Sequence, residues 1–288
     1  MINSMTGYAT AAKEFPFGAL NLELRSVNHR YLDLQFRLPD DLRAVEPALR
    51  ELVVARVSRG KVECRATFAA NPSAPKMLKL NEPVLQQLSA LELKVCALLA
   101  GAGHLTTADA LRWPGVLAAE PLPLEELHSA CRDLLATALD EFAAARAREG
   151  DKIKALLLER AAAAERIVSE VAPRIPQVVS AFQEKLAARL KDALGGGDEE
   201  RIRQEVALFA NKVDVDEELS RLTTHVAELK RVLAEGGAVG KRLDFLMQEL
   251  NREANTLGSK SADIAVSQAA LELKLLIEQM REQIQNIE

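Results

Sequence analysis

Apolar residues recur at every second position in the first 70 residues of this chain and at every third or fourth position from about Glu125 onward. That change of period constrains the fold more than any other feature, because period two belongs to a strand with one dry face and period 3.6 to a helix with one dry stripe. In GALNLELRS, Leu20, Leu22 and Leu24 alternate with Asn21, Glu23 and Arg25. YLDLQFRLP alternates Leu32, Leu34, Phe36 and Leu38 with Asp33, Gln35 and Arg37, and GKVECRATF alternates Val62, Cys64, Ala66 and Phe68 with Glu63, Arg65 and Thr67. Between the last two strands, Leu49, Leu52, Val53 and Val57 mark a helix that Gly60 is expected to end. The expected architecture is α+β: an antiparallel N-terminal sheet with helices on its apolar side, then a mainly helical C-terminal domain with long helices. A division into residues 1–155 and 156–288 follows, within reach of a chain of 288 residues.

NPSAPK at 71–76 reads as a loop, the stretch after it as a helix, and RWPGVLAAEPLPLEEL as a proline-rich connector. The helices that follow should break near Pro173 and Pro176 and again at Gly195, Gly196 and Gly197. Ile175, Val179, Phe182, Leu186 and Leu190 give one of them a single apolar stripe, as in an arm. A further helix with the seam Leu219, Leu222, Val226, Leu229 and Leu233 opens on acidic residues, with Asp214 or Asp216 as its N-cap. In the last helix Leu273, Ile277, Met280, Ile284 and Ile287 suit packing on another helix, of this chain or of a second subunit.

No apolar run approaches the roughly 18 residues of a membrane span. The start, MINSMTGYAT, has neither the basic nor the apolar segment of a secretory signal. Cys64, Cys96 and Cys131 are odd in number and lack the paired spacing of a zinc site, so reduced thiols, a cytoplasmic location and no structural metal are expected. With 37 basic and 42 acidic residues the net charge is −5, so a polyanion must be met by a local basic patch.

The seam of the helix around residues 243–257 carries the sharpest anomaly. Leu243, Leu246, Leu250 and Leu257 are spaced so that position 253 belongs to the same dry stripe, yet it is Glu253. A buried, unpaired carboxylate costs several kcal/mol, and Glu249 adds a second negative charge one turn away. Glu218 and His225 both fall just beside the seam of the preceding helix. If the two helices pack together, three carboxylates and an imidazole share one cleft, a set suited to Mn²⁺ or Mg²⁺. Alternatively, Arg221, Arg252 and Lys260 neutralise the glutamates in a structural network around a satisfied His225. GGAVGKR at 236–242 does not fit a phosphate loop, since Glu235 and Arg242 occupy the positions of its first glycine and its hydroxyl; Gly236 and Gly237 more plausibly end a helix. Arg25, Asn28, His29 and Arg30, with Arg37, Arg59 and Lys61, read either as a phosphate-binding rim or as a solvated sheet face on which Glu23, Asp33 and Glu63 balance the charge.

MINSMTGYA, RSVNHRYLDLQFRLP, SRGKVE, RWPGVLAAE, VDVDEELSRLTTHV, GKRLDFLMQELNREANTLGSK and ELKLLIEQMREQIQNIE together resemble the YicC/YloC family of bacterial endoribonucleases across essentially the whole chain. The resemblance implies a stress-related cytosolic ribonuclease that depends on a divalent cation and encloses RNA in a homohexamer. It places the family's acidic and histidine-bearing helices on Glu218, His225, Glu249 and Glu253, and its basic motif on Arg25, Asn28, Arg30 and Arg37. Chemistry then assigns metal binding to Glu218, His225, Glu249 and Glu253, with His225 as ligand or general acid/base. Phosphate stabilisation falls to Arg252 and Lys260, and RNA binding to Arg25, Asn28, Arg30, Arg37, Arg59, Lys61 and Lys260. The rival reading is a non-catalytic RNA-binding adaptor ring that delivers transcripts to another nuclease.

Overall fold

The computed structural model describes residues 1–71, 78–99, 101–119, 122–194 and 199–288. The alternating segments form a four-stranded sheet of β1 (Gly7–Phe15), β2 (Gly18–Val27), β3 (Leu32–Arg37) and β4 (Gly60–Ala70), in the order β1-β2-β4-β3. β1, β2 and β4 are antiparallel, but β3 joins β4 in parallel. This differs from the all-antiparallel expectation. The stretch between them, a 3-10 turn over Asp40–Val45 and α1 (Glu46–Val54), is the crossover that a parallel pair requires. α1 stops at Val54, earlier than expected, and Gly60 opens β4 at φ 110°, a backbone state that glycine adopts without strain. β1 itself carried no alternation signal: GYATAAKEF is an edge strand with only Ala9 and Phe15 buried.

After β5 (Leu78–Leu80), α2 (Glu82–Leu98), α3 (Thr107–Arg112) and β6 (Leu117–Ala119) comes α4 (Leu124–Val171), a helix of 48 residues about 70 Å long. Its first half, Leu127 to Phe142, covers the apolar face of the sheet with Leu20, Leu22, Leu24, Val62 and Cys64. Its second half, from Ile153 to Val171, enters a separate core with α7 (Asp216–Glu235), α8 (Gly240–Lys260) and α9 (Ile264–Ile284). The division expected at residue 155 therefore falls inside one continuous helix. α4 ends at Val171, just before Pro173, and α5 (Arg174–Leu194) pairs with α6 (Glu199–Lys212), where the rings of Phe182 and Phe209 stack. The expected breaks at Gly195, Gly196 and Gly197, and all of the 71–76 loop except Asn71, lie outside the described residues.

α7 begins at Asp216 with Val215 as its cap residue, and the Asp214 carboxylate instead accepts the Asp216 N–H at 3.1 Å. Gly236 ends the helix as expected. Leu273, Ile277, Met280, Ile284 and Ile287 are all buried in the chain's own bundle. That seam is spent internally; Ile264, Leu271 and Leu275 of α9 stay exposed.

The two cores are sewn together by the chain ends. Ser4 bridges to Ile287, its N–H donates to the Arg146 carbonyl at 3.0 Å, and the Met5 N–H donates to the Asn286 carbonyl at 2.7 Å. Arg146, 4% exposed within α4, donates through Nε to the Ser4 carbonyl and pairs with the Glu288 carboxylate. Ile2 enters the helical core, passing over Gly150 of α4.

Candidate functional site

α7 and α8 pack side by side through the two leucine seams, and that contact builds the acidic cluster. Leu243, Leu246, Leu250 and Leu257 are all buried, and so is Glu253, at 3% exposure. The seam spacing thus holds through its one charged position. One donor atom each from His225, Glu249 and Glu253 lie within 4.8 Å of one another. His225 and Glu249 are half-buried, which leaves the cluster open to solvent on one side.

Glu253 is also the partner of Arg221, whose guanidinium donates to Oε1 at 3.3 Å and pairs with Glu217 one turn earlier on α7. The hydrogen bond to Glu253, then the Glu217 charge, hold the Arg221 pKa above its ordinary value, so it is cationic at any working pH. Arg252 is exposed and does not supply this pair. Glu218, 6% exposed, accepts from Lys260 Nζ at 2.8 Å, and that hydrogen bond raises the lysine's pKa. Its second oxygen, Oε2, is buried with no hydrogen-bond partner among the described residues. A buried carboxylate oxygen left this way is expensive, and a cation or the water bound to one would satisfy it.

Of the four expected metal ligands, three therefore converge and Glu218 sits in an adjoining ion pair. Of the two expected ions, the donor set of one imidazole and two carboxylates suits Mn²⁺ better than Mg²⁺, which prefers oxygen ligands. Arg221 competes for Glu253, but would retain Glu217 if that carboxylate turned to a cation.

The basic motif divides in two. Arg25, Arg37 and Lys61 lie on the outer face of the sheet, where Arg25 faces Glu63 across β2 and β4, and Lys61 faces Asp33 across β3 and β4. Arg37 pairs with Glu63 at 2.7 Å. Asn28, Arg30 and Arg59 instead line an open cleft of about 860 Å³ with Gly240 and Lys241, the first two residues of α8. Asn28 Nδ2 donates to the Gln285 carbonyl at 2.6 Å, and Arg59 Nε donates to the His29 carbonyl at 3.1 Å, so the loop is fixed against the bundle. Lys241 was not legible as a member of this cleft, because its place beside Arg30 and Arg59 depends on long-range packing. α8 spans both places, with Glu249 and Glu253 about 12–20 Å along its axis from Lys241 and Gly240.

Residues 2–155 match the family model described as the N-terminal region of YicC-like endoribonucleases, and residues 171–288 match the corresponding C-terminal model. The chain is 42% identical over 292 residues to a protein of Haemophilus influenzae named probable endoribonuclease YicC, with 100% of both chains covered. A protein of Clostridioides difficile with the same name is 30% identical over 293 residues, again with 100% of both covered.

Proposed function

This chain belongs to the YicC-like endoribonuclease family, and from that membership we propose that it cleaves single-stranded RNA with the help of a divalent cation held by His225, Glu249 and Glu253. The observation that carries the proposal is Glu253, a carboxylate kept in a leucine seam within 4.8 Å of two further ligand atoms. A cation bound there would neutralise charge developing on the phosphate and lower the pKa of a bound water. The protein's own groups do the rest. Lys260, kept protonated by Glu218, and Arg221, half exposed beside the cluster, offer positive charge to the phosphodiester. His225 serves as a ligand through the ring nitrogen nearest the carboxylates.

Treatment with chelator should stop cleavage of a single-stranded RNA, and added Mn²⁺ should restore it. Cleavage that ignores chelator would remove the cation from the proposal. An absence of any cleavage, with RNA binding intact, would favour the adaptor reading.

RNA enters, in this proposal, over the cleft at the start of α8, where Arg30, Arg59 and Lys241 gather and the lining carboxylate, Glu288, is already paired with Arg146. Arg30→Ala and Lys241→Ala should each weaken binding and reduce the salt slope of log K by about 0.7 per lost phosphate contact. Arg37→Ala, whose guanidinium already pairs with Glu63, should change the slope little. Equal effects from all three would return the binding surface to the whole sheet face.

A further inference from the structure

A second trio of ligand side chains lies outside the bundle, in the small unit between β4 and α4. Glu92 and Cys96 are four residues apart on α2, hence on one face of it, and His104 comes from the segment that leads into α3. One donor atom from each lies within 4.8 Å of the other two. The His104 side chain is largely exposed and meets the Glu92 carboxylate. Its Nδ1 lies 3.0 Å from Glu92 Oε1, which also accepts the Leu105 N–H at 2.8 Å, and a capping box between Thr106 and Asp109 fixes the chain two residues later. The Leu105 N–H, and then His104, hold the Glu92 carboxyl below its ordinary pKa, so it is ionised at neutral pH.

Anchoring the loop accounts for Glu92 and His104 but not for a thiol beside them. The unit also lacks a substantial core: among its described residues, Leu88 and Val116 are the buried apolar ones. A unit this thinly packed gains most from a cross-link, and a metal supplies one.

We propose that Glu92, Cys96 and His104 bind one divalent cation of the zinc type, which ties α2 to the segment before α3 and leaves a fourth position to water. A thiolate, a carboxylate and a neutral imidazole sum to two negative charges, matching the ion, and this mixed S/O/N set is the borderline-soft one that Zn²⁺ prefers over Mg²⁺. Zinc-to-ligand lengths put tetrahedral donors roughly 3.3–3.6 Å apart, so the 3.0 Å His104–Glu92 pair would open slightly as the three donors gather around the ion. The site is chemically distinct from His225, Glu249 and Glu253, which contain no sulfur.

Cobalt reports the difference, because only a thiolate ligand gives a sulfur-to-cobalt charge-transfer band. The other two cysteines do not interfere: burial pushes the Cys64 thiol up to about 12 and the Cys131 thiol up to about 11. Co²⁺ added to the full chain should produce the band and Zn²⁺ should displace it. Cys96→Ser should abolish it, and His104→Ala should weaken Zn²⁺ by more than the ~10–100-fold typical of losing an outer-shell partner. In the unaltered protein, where folding of a variant is not at issue, Zn²⁺ should slow alkylation of Cys96 by iodoacetamide. Bound cobalt without the band, a band that survives Cys96→Ser, or alkylation indifferent to Zn²⁺ would overturn the proposal.

Discussion

Gly150→Ala is expected to destabilise the protein by about 3–5 kcal/mol, although alanine in the middle of an exposed helix normally stabilises it by about 1 kcal/mol. The reason is a close approach: a Cβ at position 150 would lie 2.0 Å from the Ile2 carbonyl oxygen and 2.7 Å from its carbon. Both partners are backbone, so no side chain can swing away. The N-terminal segment must lift off α4, which removes Ile2 from the helical core and costs the hydrogen bonds of Ser4 and Met5 to the Arg146 and Asn286 carbonyls. Those contacts join the sheet domain to the bundle, so the loss should appear as a lower denaturation midpoint. A variant as stable as the parent would show that the chain ends contribute nothing to holding the two cores together.

Glu253→Gln is expected to fold, to bind RNA, and to lose cleavage by about 10²-fold or more. Glutamine keeps the shape of the side chain and one oxygen for Arg221, while Arg221 retains Glu217, so no cation is stranded. Removing a buried charge also removes its desolvation cost. Catalysis alone should suffer, since a cation held by the cluster would lose its most buried ligand. The purely structural reading predicts that cleavage stays normal in the same folded variant. Melting temperature and RNA cleavage measured on one preparation separate the two.

How much of this was legible beforehand depended on whether the signal was local. Leu20, Leu22 and Leu24 announce β2 because burial on one face imposes alternation, whereas β1, poor in large apolar residues, writes no such pattern. The parallel pairing of β3 with β4 depends on where the crossover returns, which no residue in either strand encodes. Glu253 stood out because its neighbours at three and four residues are leucines. His225 was placed beside the cluster by heptad arithmetic on α7. The partner of Glu253 was harder to fix, since Arg221, Arg252 and Lys260 were all candidates and only packing brings Arg221 to it across 32 residues. Lys260 and Glu218 meet across 42 residues. Cys96 was set aside, with the expectation of no structural metal, because zinc templates look for paired cysteines, and His104 escaped notice, although the spacing of Glu92 and Cys96 by one helical turn was there to be read.

The claim on which the rest depends is that His225, Glu249 and Glu253 hold a cation. Anomalous scattering at the manganese edge, from crystals of the unaltered protein and of Glu253→Gln grown with Mn²⁺, addresses it most directly. A manganese peak bonded to His225 and both carboxylates in the first crystal, and missing or displaced in the second, is the predicted result. Crystals of a protein that cleaves RNA under the same conditions, with no peak at the cluster and Arg221 still paired to Glu253, would contradict it.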